Sequence, residues 1–128
     1  MATLSQTRSK VCVVDDEVMI TESLSLILDR EGFDVAAFTN PLEAMEHMQA
    51  DPPDLLISDI MMPQLSGIDL AIRTAESLPD CRILLVSAAP EEVLHQARAD
   101  GHDFRLLQKP LDPKDLLHEI ELLLGAEA

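Results

Sequence analysis

Five short apolar runs alternate with five stretches of helical period along this chain, and that alternation limits the fold more than any other feature. Val11-Cys12-Val13-Val14 is β-branched and compact, as strands are. Ile20, Leu24, Ile27 and Leu28 then recur at helical spacing, with Gly32 as the stop. Phe33 to Phe38 reads as a second strand, less apolar and suited to a sheet edge. Asn40-Pro41 supplies an N-cap followed by proline at the first helical position, and Leu42, Met45 and Met48 give that helix one apolar face. Leu55-Leu56-Ile57 lies between Asp51-Pro52-Pro53 and Pro63, as a strand buried on both faces would. Ser66-Gly67 opens a third helix that Pro79-Asp80 ends, and Arg82 to Val86 is a fourth strand. A weaker helix from Pro90 closes at Gly101. Phe104 to Leu107 is the fifth strand, and Asp112-Pro113 caps a last helix whose face is Leu116, Leu117, Ile120, Leu123 and Leu124. Strict alternation implies an α/β fold with a parallel sheet and right-handed crossovers.

The length, 128 residues, suits one domain with one core. No domain boundary or repeat interrupts it. Residues 1–9 read as a polar leader and 125–128 as a tail, leaving 10–124 as the folded unit. No apolar run reaches bilayer length, and the first ten residues lack the apolar stretch of a secretory signal. The net charge of −15 argues against direct contact with nucleic acid or an anionic membrane. It suits cations or a partner with a basic face. Two cysteines, Cys12 and Cys81, are too few for a disulfide framework, and a reducing cytoplasm fits them. The four histidines lack metal-ligand spacing and read as surface or boundary residues.

The polar residues at the strand ends carry the functional reading. Asp15 and Asp16 follow the first strand, Asp59 the third, Ser87 the fourth and Lys109 the fifth. In open parallel sheets the ligand crevice lies outside the carboxyl ends of the strands, so all five can converge on one rim. Each has a plainer reading alone: Asp15 and Asp16 as caps of the first helix, Asp59 as a turn-forming strand end, Ser87 as a loop serine, Lys109 as a surface lysine. Together, three carboxylates repel unless a cation is present, and oxygen ligands without Cys or His favour Mg²⁺ or Mn²⁺ over zinc. Lys109 and Ser87 can bind phosphoryl oxygens. A carboxylate such as Asp59 can attack phosphorus to form an aspartyl-phosphate.

These residues carry a resemblance. Val13-Val14-Asp15-Asp16-Glu17, Ser58-Asp59-Ile60-Met61-Met62-Pro63 with Gly67, Ser87-Ala88-Ala89 and Lys109-Pro110 resemble, over residues 10 to 124, the receiver domain of bacterial two-component response regulators. The resemblance implies a flavodoxin-like (βα)5 doubly wound sheet of strand order 2-1-3-4-5. It implies Asp59 as phosphoacceptor, and Asp16 and Asp59 as direct Mg²⁺ ligands. Asp15 would act through water, and the Met61 carbonyl would complete the set. Lys109 would pair with the phosphoryl group, Ser87 would bring its hydroxyl onto it, and the Lys109-Pro110 bond would be cis. The implied partners are a sensor histidine kinase or histidine phosphotransfer domain as donor, and a downstream protein or output domain as recipient. The implied role is a signalling switch rather than an enzyme.

Two positions depart from the family pattern. Leu106 stands three residues before the lysine, where Tyr, Phe or His is usual, and the stretch from Gly101 to Lys109 is one residue longer than the commonest spacing. Phe104 shares the strand parity of Leu106. Two rival readings stand beside the switch. A Mg²⁺-dependent phosphohydrolase using Asp59 would ordinarily carry a second aspartate two residues on, where this chain has Met61. An interaction module that is never phosphorylated would have no need of the full acidic set.

Overall fold

The computed structural model describes residues 8–88 and 104–125. Five strands form one wholly parallel sheet: β1 (Lys10–Val14), β2 (Asp34–Phe38), β3 (Leu55–Asp59), β4 (Arg82–Ser87) and β5 (Arg105–Gln108). Their order is β2-β1-β3-β4-β5, as the resemblance implies. The described helices are α1 (Val18–Arg30), α2 (Pro41–Ala50), α3 (Gly67–Ser77) and α4 (Pro113–Leu124). The helix expected from Pro90 to Gly101 lies outside the described residues.

Burial explains why the middle strands are legible as apolar runs. β3 is buried at every position, and β1 and β4 at all but their first residue. The outer strands β2 and β5 are buried nowhere along their length and read more weakly. Alternation along each strand feeds two cores. Cys12, Val14, Leu56, Ile83 and Leu85 pack with Ala44 and Met48 of α2 and with Leu70 and Ala71 of α3. Val11, Val13, Leu55, Ile57, Leu84 and Val86 pack with Leu24 and Leu28 of α1 and with Leu116 and Ile120 of α4. Phe104 and Leu106 both lie against the first core, consistent with their shared parity. Cys12 and Cys81 are buried free thiols.

The second strand begins one residue later than the apolar pattern suggests. Phe33 belongs to the end of α1: its N–H donates to Leu28 O at 3.1 Å, and the Gly32 N–H to Asp29 O at 3.1 Å. With Gly32 at φ +93°, this is a Schellman closure, in which the left-handed residue favours glycine. The fifth strand is likewise shifted by one, from Phe104 to Arg105 at its start.

Three of the four described helices open on a side-chain cap. Asn40 accepts from the Leu42 N–H at 2.9 Å, Ser66 from Asp69 at 3.1 Å and Asp112 from Lys114 at 2.8 Å. The exception is α1, whose N-cap residue Glu17 makes no side-chain cap bond.

Candidate functional site

Parallel register brings the strand-end residues together. Val13 lies opposite Ile57, Asp59 opposite Val86 and Val86 opposite Leu107. Two residues beyond Val13, Ile57 and Leu107 stand Asp15, Asp59 and Lys109, so alternation carries all three on the α1–α4 side of the sheet. Lys109 Nζ donates to Asp15 Oδ2 at 2.9 Å and lies 3.3 Å from Asp59 Oδ1. Asp15, at 1% exposure, and Asp59 are buried, whereas Asp16 is exposed. Asp15, Asp16 and Asp59 each offer a carboxylate oxygen, all within 4.8 Å of one another. This oxygen-only trio can hold a divalent cation of the hard class and lacks the nitrogen or sulfur donors that favour zinc.

Backbone bonds fix the rim. The Asp15 N–H donates to Phe38 O, Ile60 N–H to Val86 O at 3.2 Å and Lys109 N–H to Ser87 O at 2.9 Å. Asp15 Oδ1 accepts from the Glu17 N–H at 2.9 Å, a bond that fixes the turn ahead of α1 and is not a cap on the helix's first-turn amides. Ser87 is buried and ends β4 opposite Gln108. It continues the Ile83–Leu85 row toward the other core, one residue out of phase with Asp59. Met61 is the second residue past β3 and is 70% exposed. The Lys109-Pro110 bond is cis.

The electrostatics oppose each other within the site. Burial pushes the Asp59 carboxyl above the usual carboxylate range; the charge of Asp15 adds to this and Lys109 counteracts it. For Lys109, burial pulls downward, but the hydrogen bond and charge of Asp15, with those of Asp59, outweigh it and raise the ammonium above its ordinary value.

Three features of the site had no assigned role in the sequence reading. Glu17 Oε1 lies 3.9 Å from Lys109 Nζ. Ser58, buried, donates its hydroxyl to Asp59 O at 2.8 Å. Gly67 sits against the strand end: a Cβ there would lie 2.0 Å from Asp59 O. A glycine at a helix start, where most residues are tolerated, is the one sequence signal of that approach.

Beside Lys109 runs a groove of about 560 Å³, lined by Met19, Ile20 and Leu24 of α1, by Pro110 and Leu111, and by Leu116 of α4. Met19 is 79% exposed, and Val18 is also exposed. Among the described residues no helix is long and apolar enough to cross a membrane.

Comparison with known proteins converges on one family. The family model described as "Response regulator receiver domain" matches residues 11–121. The response regulator receiver protein CpdR of Brucella abortus is 32% identical over 117 residues, spanning 91% of this chain and 98% of that protein. Other relatives are longer: the chain spans 27% of the phosphoglycerate transport system transcriptional regulatory protein PgtA of Salmonella typhimurium, at 32% identity over 87% of this chain. Among solved structures, a CheY-like receiver domain protein from Methanospirillum hungatei superposes with a TM-score of 0.86 at 26% identity, covering 94% of this chain and 96% of that one. The chain belongs to the response regulator receiver domain family, a family of signalling switches.

Proposed function

We propose that Asp59 accepts a phosphoryl group from a phosphohistidine, in the cytoplasm, and that the resulting aspartyl-phosphate switches a protein-binding surface of the 10–124 unit. The donor is a sensor histidine kinase or a histidine phosphotransfer domain; the recipient is a downstream protein or an output domain. One observation carries the reading: a single ammonium, Lys109, bridges Asp15 and Asp59 at the carboxyl edge of the sheet, at 2.9 and 3.3 Å. It is thereby poised beside the atom that would be phosphorylated.

A carboxylate oxygen of Asp59 attacks phosphorus in line, the P–N bond breaks, and its electron pair leaves with the imidazole. Asp16 and Asp59, the Met61 carbonyl and, through water, Asp15 would hold Mg²⁺ (or Mn²⁺), which when bound supplies neutralisation of phosphoryl charge. Lys109 exchanges its carboxylate partners for phosphoryl oxygens, a charge-assisted pairing. The Ser87 hydroxyl, one residue out of phase with Asp59 at the end of β4, would turn toward the rim to donate to the same group. The apolar groove beside Lys109, with Met19 exposed along it, supports docking of the donor protein there. The acidic surface favours a donor with basic flanks.

The test is the intact mass of the protein after incubation with a small acyl-phosphate donor and Mg²⁺. Wild type gains one phosphoryl group and Asp59→Asn gains none. No gain on wild type, or an undiminished gain on the variant, overturns the proposal.

A further inference from the structure

We propose that Glu17 is a positioning residue for Lys109, retaining its ammonium when Asp15 and Asp59 are drawn toward a cation; this rests on the phosphoacceptor reading above. The first observation is a broken local rule. Ser, Thr, Asp and Asn are the residues that cap helix N-termini, and α2, α3 and α4 each use one of them. At the same position α1 has Glu17, which makes no side-chain cap bond, and the first turn of α1 contains no acidic residue to face the helix dipole. Places where a chain departs from its own local pattern are where function is expected to have displaced stability.

The second observation is where that carboxylate lies. Among the described residues, Lys109 Nζ has three carboxylate neighbours, Asp15 at 2.9 Å, Asp59 at 3.3 Å and Glu17 at 3.9 Å. An ammonium has three donors and no acceptor, so three anionic neighbours match its capacity. The three differ in their other commitments. Asp15 and Asp59 belong to the acidic trio; Glu17 does not. Carboxylate oxygens that turn to a divalent cation are withdrawn from the lysine, and the cation repels the ammonium as well. Glu17 alone of the three stays available, and at 66% side-chain exposure it can follow the lysine toward an arriving phosphoryl group. Its backbone is anchored meanwhile, since the Glu17 N–H donates to Asp15 Oδ1 at 2.9 Å.

The experiment reads Lys109 directly, without phosphoryl transfer. A limiting amine-acetylating reagent is applied with and without Mg²⁺, and modification of Lys109 is quantified by peptide mass spectrometry. Lys114, exposed, and Lys10 serve as internal references, these being the only other lysines. Glu17→Gln and Glu17→Asp are expected to raise Lys109 labelling about two- to fivefold in Mg²⁺, the range that an exposed ion pair supplies, and to leave it unchanged without Mg²⁺. Glu17→Asp, which can cap α1, is also expected to raise the metal-free melting temperature, so that stability and lysine retention move in opposite directions. In the phosphorylation assay both variants raise the KM for the small donor while kcat holds. Labelling unchanged in Mg²⁺, or raised equally in both conditions, overturns the assignment. Absence of phosphorylation in wild type would instead overturn the phosphoacceptor reading, and the labelling would still decide the role of Glu17.

Discussion

Gly67→Ala separates a steric requirement of the site from the ordinary preferences of a helix. By propensity the change is favourable, because alanine in a helix is worth about 0.5–1 kcal/mol over glycine. By geometry it is not. The added Cβ would lie 2.0 Å from Asp59 O, 2.8 Å from Asp59 C and 2.8 Å from Ile60 Cα. All three are backbone atoms, so no side chain can swing aside. Restoring ordinary separation requires the start of α3 and the end of β3 to part by roughly 1 Å or more. The Gly67 N–H to Ile60 O bond, 2.8 Å long, spans that same gap. Its loss adds about 1 kcal/mol to an overpacking cost of about 1–3 kcal/mol. The steric side wins, and a net loss of about 1–3.5 kcal/mol is expected after the propensity gain.

Because the chain has neither Trp nor Tyr, unfolding is best followed by far-ultraviolet circular dichroism in urea and on heating. The expected fall in melting temperature is roughly 3–5 °C per kcal/mol for a domain of this size. The same displacement moves the Asp59 carboxylate, and a shift of about 1 Å in a reacting group can cost on the order of 10²-fold in rate. The alanine variant should therefore phosphorylate far more slowly than its residual folded fraction accounts for. A variant as stable as wild type, phosphorylated at an equal rate, would refute the claim that a close backbone approach at Gly67 sets the position of Asp59.

Two further outcomes follow from the burial of titratable groups. The folded-state value of Asp59 is raised, by burial first and then by Asp15. Its contribution to stability is therefore favourable below its unfolded value and lost as pH rises through the higher folded one, leaving the ionised group a net cost at neutral pH. Asp59→Asn should raise the metal-free melting temperature at pH 7, with the gap closing as pH falls toward 4, and should weaken the stabilisation that Mg²⁺ gives wild type; a lower melting temperature for the variant at pH 7 would contradict the direction. Burial pushes the Cys12 thiol up to about 12 and the Cys81 thiol up to about 11, so neither should react with maleimide in the native state at pH 8, and both should react once urea unfolds the protein; rapid native labelling would show that the cores open.

How far the sequence discloses this site follows from which interactions are local. Asp15, Asp59 and Lys109 are legible because each stands just past a strand, and parallel strands share one carboxyl edge. Their mutual distances are not, because they depend on register, and a shift of one residue in β5 would turn Lys109 to the opposite face. The strand limits differ from the apolar runs for the same reason: Asp59 and Ser87 are polar yet still belong to the ladder of β3 and β4. Phe33 is apolar yet closes α1. Gly67 approaches Asp59 across a loop of seven intervening residues whose path no periodicity encodes. Glu17 sits where sequence rules look for a cap, so its approach to Lys109 emerges only in three dimensions.

The charge of the rim is the physical reason that so stable a sheet can end in a responsive site. Among the described residues, three carboxylates converge within 4.8 Å of one another and one ammonium, that of Lys109, reaches into them. At an effective dielectric of about 20, each pair of like charges at such a distance costs on the order of 3 kcal/mol, less wherever Asp16 is screened by solvent. The surrounding strands supply enough buried apolar area to hold that arrangement in place, since β1, β3 and β4 are almost wholly buried. The conflict among the carboxylates is thus local, while the stability that tolerates it is spread over both cores. A divalent cation would remove the repulsion without rearranging the sheet. A phosphoryl group on Asp59 would restore negative charge at the same point and compete for Lys109. That competition couples the rim to the end of β4, because Lys109 is bonded through its own N–H to Ser87 O at 2.9 Å, so a lysine that moves toward phosphorus acts on the β4–β5 edge through a backbone bond. Leu106, partly buried and packed against the same core as Phe104 and without a polar group to exchange, has no side-chain hydrogen bond to make or break in that response.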